Sequence, residues 1–149
     1  MIQLKNLYSR MTLISKRYVQ LKTIFDNFCH LATTQLTDDR CPVKGIIFSP
    51  DLERNSFDVS FAGKTVRFSF FVVEDETPSL LGFVKCNPIG RDEKPMDIVI
   101  GKFIFNRSAE TSLRSEDDDP LEIDIQRVAG YLVLHFLSDA LDKMTEPVA

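Results

Sequence analysis

The stretch Ser56-Phe57-Asp58-Val59-Ser60-Phe61-Ala62-Gly63-Lys64-Thr65-Val66-Arg67-Phe68-Ser69-Phe70 decides the fold. Phe57, Val59 and Phe61 alternate with Ser56, Asp58 and Ser60 before Ala62-Gly63, and Val66, Phe68, Phe70 and Val72 alternate with Thr65, Arg67, Ser69 and Phe71 after it. A period of two sends successive side chains to opposite faces, so each run predicts a strand with one apolar and one polar face. The two residues between them, one a glycine able to take positive φ, predict a tight hairpin. Ser56, Asp58, Ser60, Thr65, Arg67 and Ser69 are then the wet side.

Working outward, residues 43–48, 80–86 and 97–105 read as further strands. Turn-rich segments at 50–55, 74–79 and 87–95 separate them. Five strands joined by short loops form an antiparallel meander, because parallel neighbours require crossovers of a dozen or more residues. Before the strands, Leu4, Leu7, Met11, Ile14, Tyr18, Leu21, Phe25, Phe28 and Ala32 recur at spacings of three and four, which predicts one helix to about residue 36. Ile24 and Leu31 widen its stripe, as suits a helix lying on a sheet. After the strands, Asp119 as N-cap, Pro120 at the first helical position and Glu122 closing a capping box predict a last helix to about Met144. The expectation is an α+β fold over residues 1–149 as one domain: a long N-terminal helix, a five-stranded antiparallel meander and a long C-terminal helix, with both helices packed on the sheet.

Composition narrows the class. The chain has 149 residues, 44% hydrophobic residues and a net charge of -4, which excludes disordered and collagenous proteins. Its longest near-continuous apolar run, residues 128–137, is too short to span a bilayer. Residues 1–8 lack the apolar core and cleavage site of a signal peptide, and the odd set Cys29, Cys41 and Cys86 suits reduced thiols, so the expected setting is cytoplasmic, with no membrane.

Motifs for chemistry are sparse. Gly63-Lys64-Thr65 lacks the earlier glycine of a phosphate-binding loop and leads into a strand. Pro50-Asp51 with Asp92-Glu93-Lys94 resembles the acid and Asp/Glu-x-Lys signature of a large nuclease superfamily. That resemblance implies a divalent metal held by Asp51 and Asp92 and a water activated by Lys94. Cys29-His30 with Cys41 fits no common zinc spacing, and His135 with Asp139 reads as a local helix pair. No catalytic residue, metal or cofactor is assigned. Charge is divided more sharply. Lys5, Arg10, Lys16, Arg17 and Lys22 precede the first acid, whereas residues 110–146 hold ten acids against three bases. Pairing of these two ends within the chain is expected, and nucleic acid is disfavoured as a partner.

The strand faces point to a partner. With Lys85 and Lys102 outward, Leu81, Phe83, Ile98, Ile100 and Ile104 share their face, so these two strands are apolar on both sides. Tyr131, Leu134 and His135 turn away from the helix stripe Ile125, Val128, Leu132 and Phe136. Either a helix of the same chain covers the extra apolar face or a partner does. In architecture and charge this build is similar to the bacterial secretion chaperones that dimerise and bind the unfolded start of an exported protein, although 74–79 is too short for their mid-sheet helix. Small immunity or antitoxin-like proteins share the build. The expected function is a protein-binding module, with a protein partner or a second copy meeting Leu81, Phe83, Lys85, Ile98, Ile100, Lys102, Tyr131, Leu134 and His135. The alternative is the nuclease of Asp51, Asp92 and Lys94.

Overall fold

The structure, a computed structural model, describes residues 4–76 and 79–144. The deciding stretch folds as its alternation requires: β2 (Ser56–Phe61) and β3 (Lys64–Glu74) pair antiparallel, with Phe57 opposite Phe68 and Val59 opposite Val66. Ala62 (φ 52°) and Gly63 (φ 78°) are both left-handed, which is what a two-residue hairpin needs to match the strand twist. Around this hairpin stand β1 (Ile47–Asp51), β4 (Leu80–Pro88), β5 (Gly101–Phe105), β6 (Glu110–Arg114) and β7 (Pro120–Glu122). All pair antiparallel with their sequence neighbours, in the order β1-β2-β3-β4-β5-β6-β7.

The sheet thus has seven strands, not five, and both additions come from the polar segment after β5. The Asp119-Pro120 signal marks a strand instead of a helix start. Ser115 donates its N–H to the Asp119 carbonyl at 2.8 Å and Asp118 sits at φ 63°, closing a turn that returns β7 along β6. Thr111 Oγ1 donates to the Leu121 carbonyl at 2.8 Å and fixes that return. Proline fits here because an edge strand tolerates its missing N–H, so the same residue types that cap a helix also begin an edge strand. The helix α2 (Gln126–Met144) begins only afterwards.

Helix α1 (Leu4–Thr37) buries Leu21, Phe25, Phe28, Cys29, Ala32 and Leu36, and α2 buries Leu132, Val133, Phe136 and Leu137. Both lie on one face of the sheet. Phe25 meets Phe57 and Phe70, while Phe28 and Phe136 both meet Phe68 and Phe103. Lys22 Nζ ties α1 to the turn after β1, donating to Asp26 Oδ1 at 2.7 Å and the Leu52 carbonyl at 2.6 Å. The stripe predicted along the whole of α1 packs only in part. Leu4 (64% exposed), Leu7 (44%) and Met11 (51%) run past the sheet, where Arg10 meets Glu74 at 3.5 Å. Among the described residues no helix is long and apolar enough to cross a membrane.

Candidate interaction surface: the open face of the sheet

Because both helices share a face, the other face of the sheet has no helix on it among the described residues. Its β1–β3 portion is polar and largely self-satisfied. Arg67 donates from Nε and an η nitrogen to the two carboxylate oxygens of Asp58 at 2.8 and 3.1 Å, and Ser60 and Thr65 share a 2.8 Å hydrogen bond. The Asp58 hydrogen bonds hold the Arg67 guanidinium charged, raising its pKa further.

Toward β5 the character changes. Register places Phe71 opposite Phe83, Val73 opposite Leu81, Phe83 opposite Ile104 and Lys85 opposite Lys102. The Phe71 and Phe83 rings stand 6.3 Å apart, and Phe71 is 51% exposed. Lys85 and Lys102 are like charges in directly facing positions, a destabilising arrangement, and neither has an ion-pair partner among the described residues. An apolar band therefore lies beside a cationic one.

Of the residues expected at this surface, Leu81, Phe83, Lys85 and Lys102 lie on the open face. Ile98 is exposed in the irregular segment before β5, which Asn87 Nδ2 holds by donating to the Ile98 carbonyl at 2.9 Å. Ile100 does not belong to the surface, being buried at 4% exposure. Its N–H donates to the Cys86 carbonyl, and Cys86 is already the register partner of Gly101. Two residues thus oppose one, and this bulge breaks the alternation that linked Ile100 to Lys102. Tyr131 and Leu134 lie in the helical layer, lining a groove of about 370 Å³ with Leu36, Cys41 and Val43. His135 meets Asp139 at 3.4 Å, as their spacing requires. The helix and strand groups do not form one surface, since the sheet separates them. Phe71 and Val73 were missed in sequence, although their parity with Arg67 and Ser69 put them on the same face.

The nuclease set does not assemble. Asp51 ends β1 opposite Ser56 and faces Arg54 at 3.8 Å. Asp92 accepts the Lys94 N–H at 3.1 Å in the turn after β4, a turn that Ile89 pins to Thr65 beside the Ala62-Gly63 hairpin. Asp51 points away from that hairpin along β1, so the two acids stand toward opposite ends of the strands. Among the described residues no three His, Cys, Asp or Glu side chains cluster to hold a metal.

All three thiols are free. Burial raises the Cys29 pKa to about 11 and the Cys86 pKa to about 12, whereas Cys41 is half-buried. Alkylation of the folded protein at pH 8 is expected to modify Cys41 alone, read by mass. The folded thiols keep their protons where the unfolded ones ionise, above pH 9.0. Stability should therefore fall as pH rises from 9, by about 1.4 kcal/mol per pH unit for each thiol. Urea denaturation at pH 8 and pH 10, compared with Cys29→Ala/Cys86→Ala, measures the difference. Comparison with protein-family models, curated proteins and solved structures finds no match to this chain.

Proposed function

We propose that this chain is a protein-binding module, as chaperones, adaptors and immunity proteins are, and that it docks its partner on the open face of β3–β5. One observation carries the reading: both helices cover the same side of the sheet, leaving Phe71, Phe83 and Ile104 beside the facing Lys85 and Lys102 on the other. Burying such an apolar band returns about 25 cal/mol per Å². Carboxylates from a partner would also relieve the lysine pair. The fitting partner is a protein segment that is apolar on one side and acidic at its margin.

Phe83→Asp places a charge in the band without entering the helix-covered core. Wild type, Phe83→Asp and, on the helical side, Leu134→Glu are to be immobilised and exposed to an extract of the source organism. The expected result is a protein retained by wild type and Leu134→Glu and reduced tenfold or more on Phe83→Asp. Identical retention by wild type and Phe83→Asp, or loss only with Leu134→Glu, would overturn the open-face reading.

A further inference from the structure

The first three turns of α1 leave Leu4, Leu7, Tyr8 and Met11 exposed on a segment whose charges are Lys5 and Arg10, with Lys16 and Arg17 in the turn that follows. The arm leaves the sheet at Glu74, the residue opposite the start of β4. At the other end of the strands stands the β6–β7 turn, Glu116-Asp117-Asp118-Asp119. At that same end, in the chain entering β5, Met96 (41%), Ile98 (44%) and Val99 (37%) are exposed, Met96 and Ile98 in a groove with Gly63, Thr65 and Arg67.

The two charged ends were expected to pair within the chain. No ion pair joins them among the described residues, and the length of the sheet lies between them. One molecule thus presents a basic apolar end and an acidic apolar end, each unmet by the other. We propose that a second copy of this chain meets both: two molecules lie antiparallel, each placing its α1 arm against the other's acidic turn. A two-fold axis makes the contact twice and closes it, as in the commonest oligomers. Pairing of two α1 arms with each other is disfavoured, because no acid precedes Asp26 and bases would face bases. This contact uses neither Phe83 nor Lys102, so it stands or falls apart from the open-face reading.

Charge exchange tests it. Lys5→Glu/Lys16→Glu takes the run Lys5, Arg10, Lys16 and Arg17 from +4 to zero and leaves the Arg10–Glu74 pair in place; Glu116→Lys/Asp117→Lys takes the turn from -4 to zero. All four positions are exposed, so circular dichroism should match wild type. In sedimentation at about 0.1 mM protein, where association tighter than millimolar is populated, wild type should be a dimer. It should dissociate as salt shortens the reach of charge from about 10 Å to about 3 Å. Each double variant alone should be monomeric, and an equimolar mixture of the two should recover part of the dimer, since one contact of the mixed pair joins an unchanged arm to an unchanged turn and the other sets the introduced carboxylates against the introduced ammonium groups. A monomeric wild type, a mixture that stays monomeric, or single preparations that dimerise as well as wild type would overturn the proposal. So would a monomeric wild type that sediments with phosphatidylglycerol vesicles and loses them on Lys5→Glu/Lys16→Glu, which would assign the arm to an anionic membrane surface.

Discussion

Phe68→Ala is expected to lower the unfolding free energy by about 4 kcal/mol and the melting temperature by roughly 10 °C. Phe68 is fully buried. Its ring stacks on Phe57 at 4.9 Å and takes the edges of Phe28 and Phe136, one from each helix. Truncation removes the group on which sheet and helices converge, and walls held by strand pairing cannot collapse into the space. Domains are stable by only about 5–15 kcal/mol, so the variant sits near the limit of folding. Phe71→Ala on the open face should cost under about 1 kcal/mol, because that ring is half in water already. Urea denaturation of the two variants reads the contrast, and equal losses would mean that the helices do not share one face.

Gly101→Ala is expected to cost about 3 kcal/mol, from a single added methyl group. A Cβ at Gly101 would run into the Phe136 ring, and at Gly82 into Phe105. Phe136 has no route away, since it lies nearly parallel to Phe103, with 4° between the rings, and edge-on to Phe68. The cost is steric, because Gly101 does not adopt positive φ. Shortening the obstacle should recover part of the loss: Gly101→Ala/Phe136→Leu should be more stable than the sum of the single variants by at least about 1 kcal/mol. Strict additivity would show that the two residues are not in contact.

Much of the fold was legible because period and burial agree. Phe57, Val59, Val66, Phe68 and Phe70 alternate strictly and face the helices, and the stripe Leu21, Phe25, Phe28 and Ala32 repeats at helical spacing where it meets them. Failures fall where one local signal serves two structures. Asp119-Pro120 followed by Glu122 suits a helix start and equally an edge strand; only Thr111 and the Ser115–Asp119 turn, supplied by residues earlier in the chain, select the strand. Ile100 keeps the parity of Lys102, but a bulge is invisible to a count of twos. The candidate surface was legible in Leu81, Phe83, Lys85 and Lys102, whose charges announced the outward side. It was not legible that both helices choose the same side, because an amphipathic stripe says what a helix buries and not which face of a sheet it seeks.

The meander has a consequence for the order in which the chain can be finished. Every strand pairs with its neighbour in sequence, so the sheet closes only short loops, and such contacts form early at little entropic cost. The layer over it is different. Phe28 and Phe136, from opposite ends of the chain, must arrive together above Phe68 and Phe103. During synthesis from the N-terminus, α1 and most of the hairpins are present while half of that aromatic floor still waits for its cover. Helix α2 is therefore the keystone: until it is made, Phe68 and Phe103 have the cover of Phe28 alone, and the arrival of Phe136 closes the layer that α1 begins.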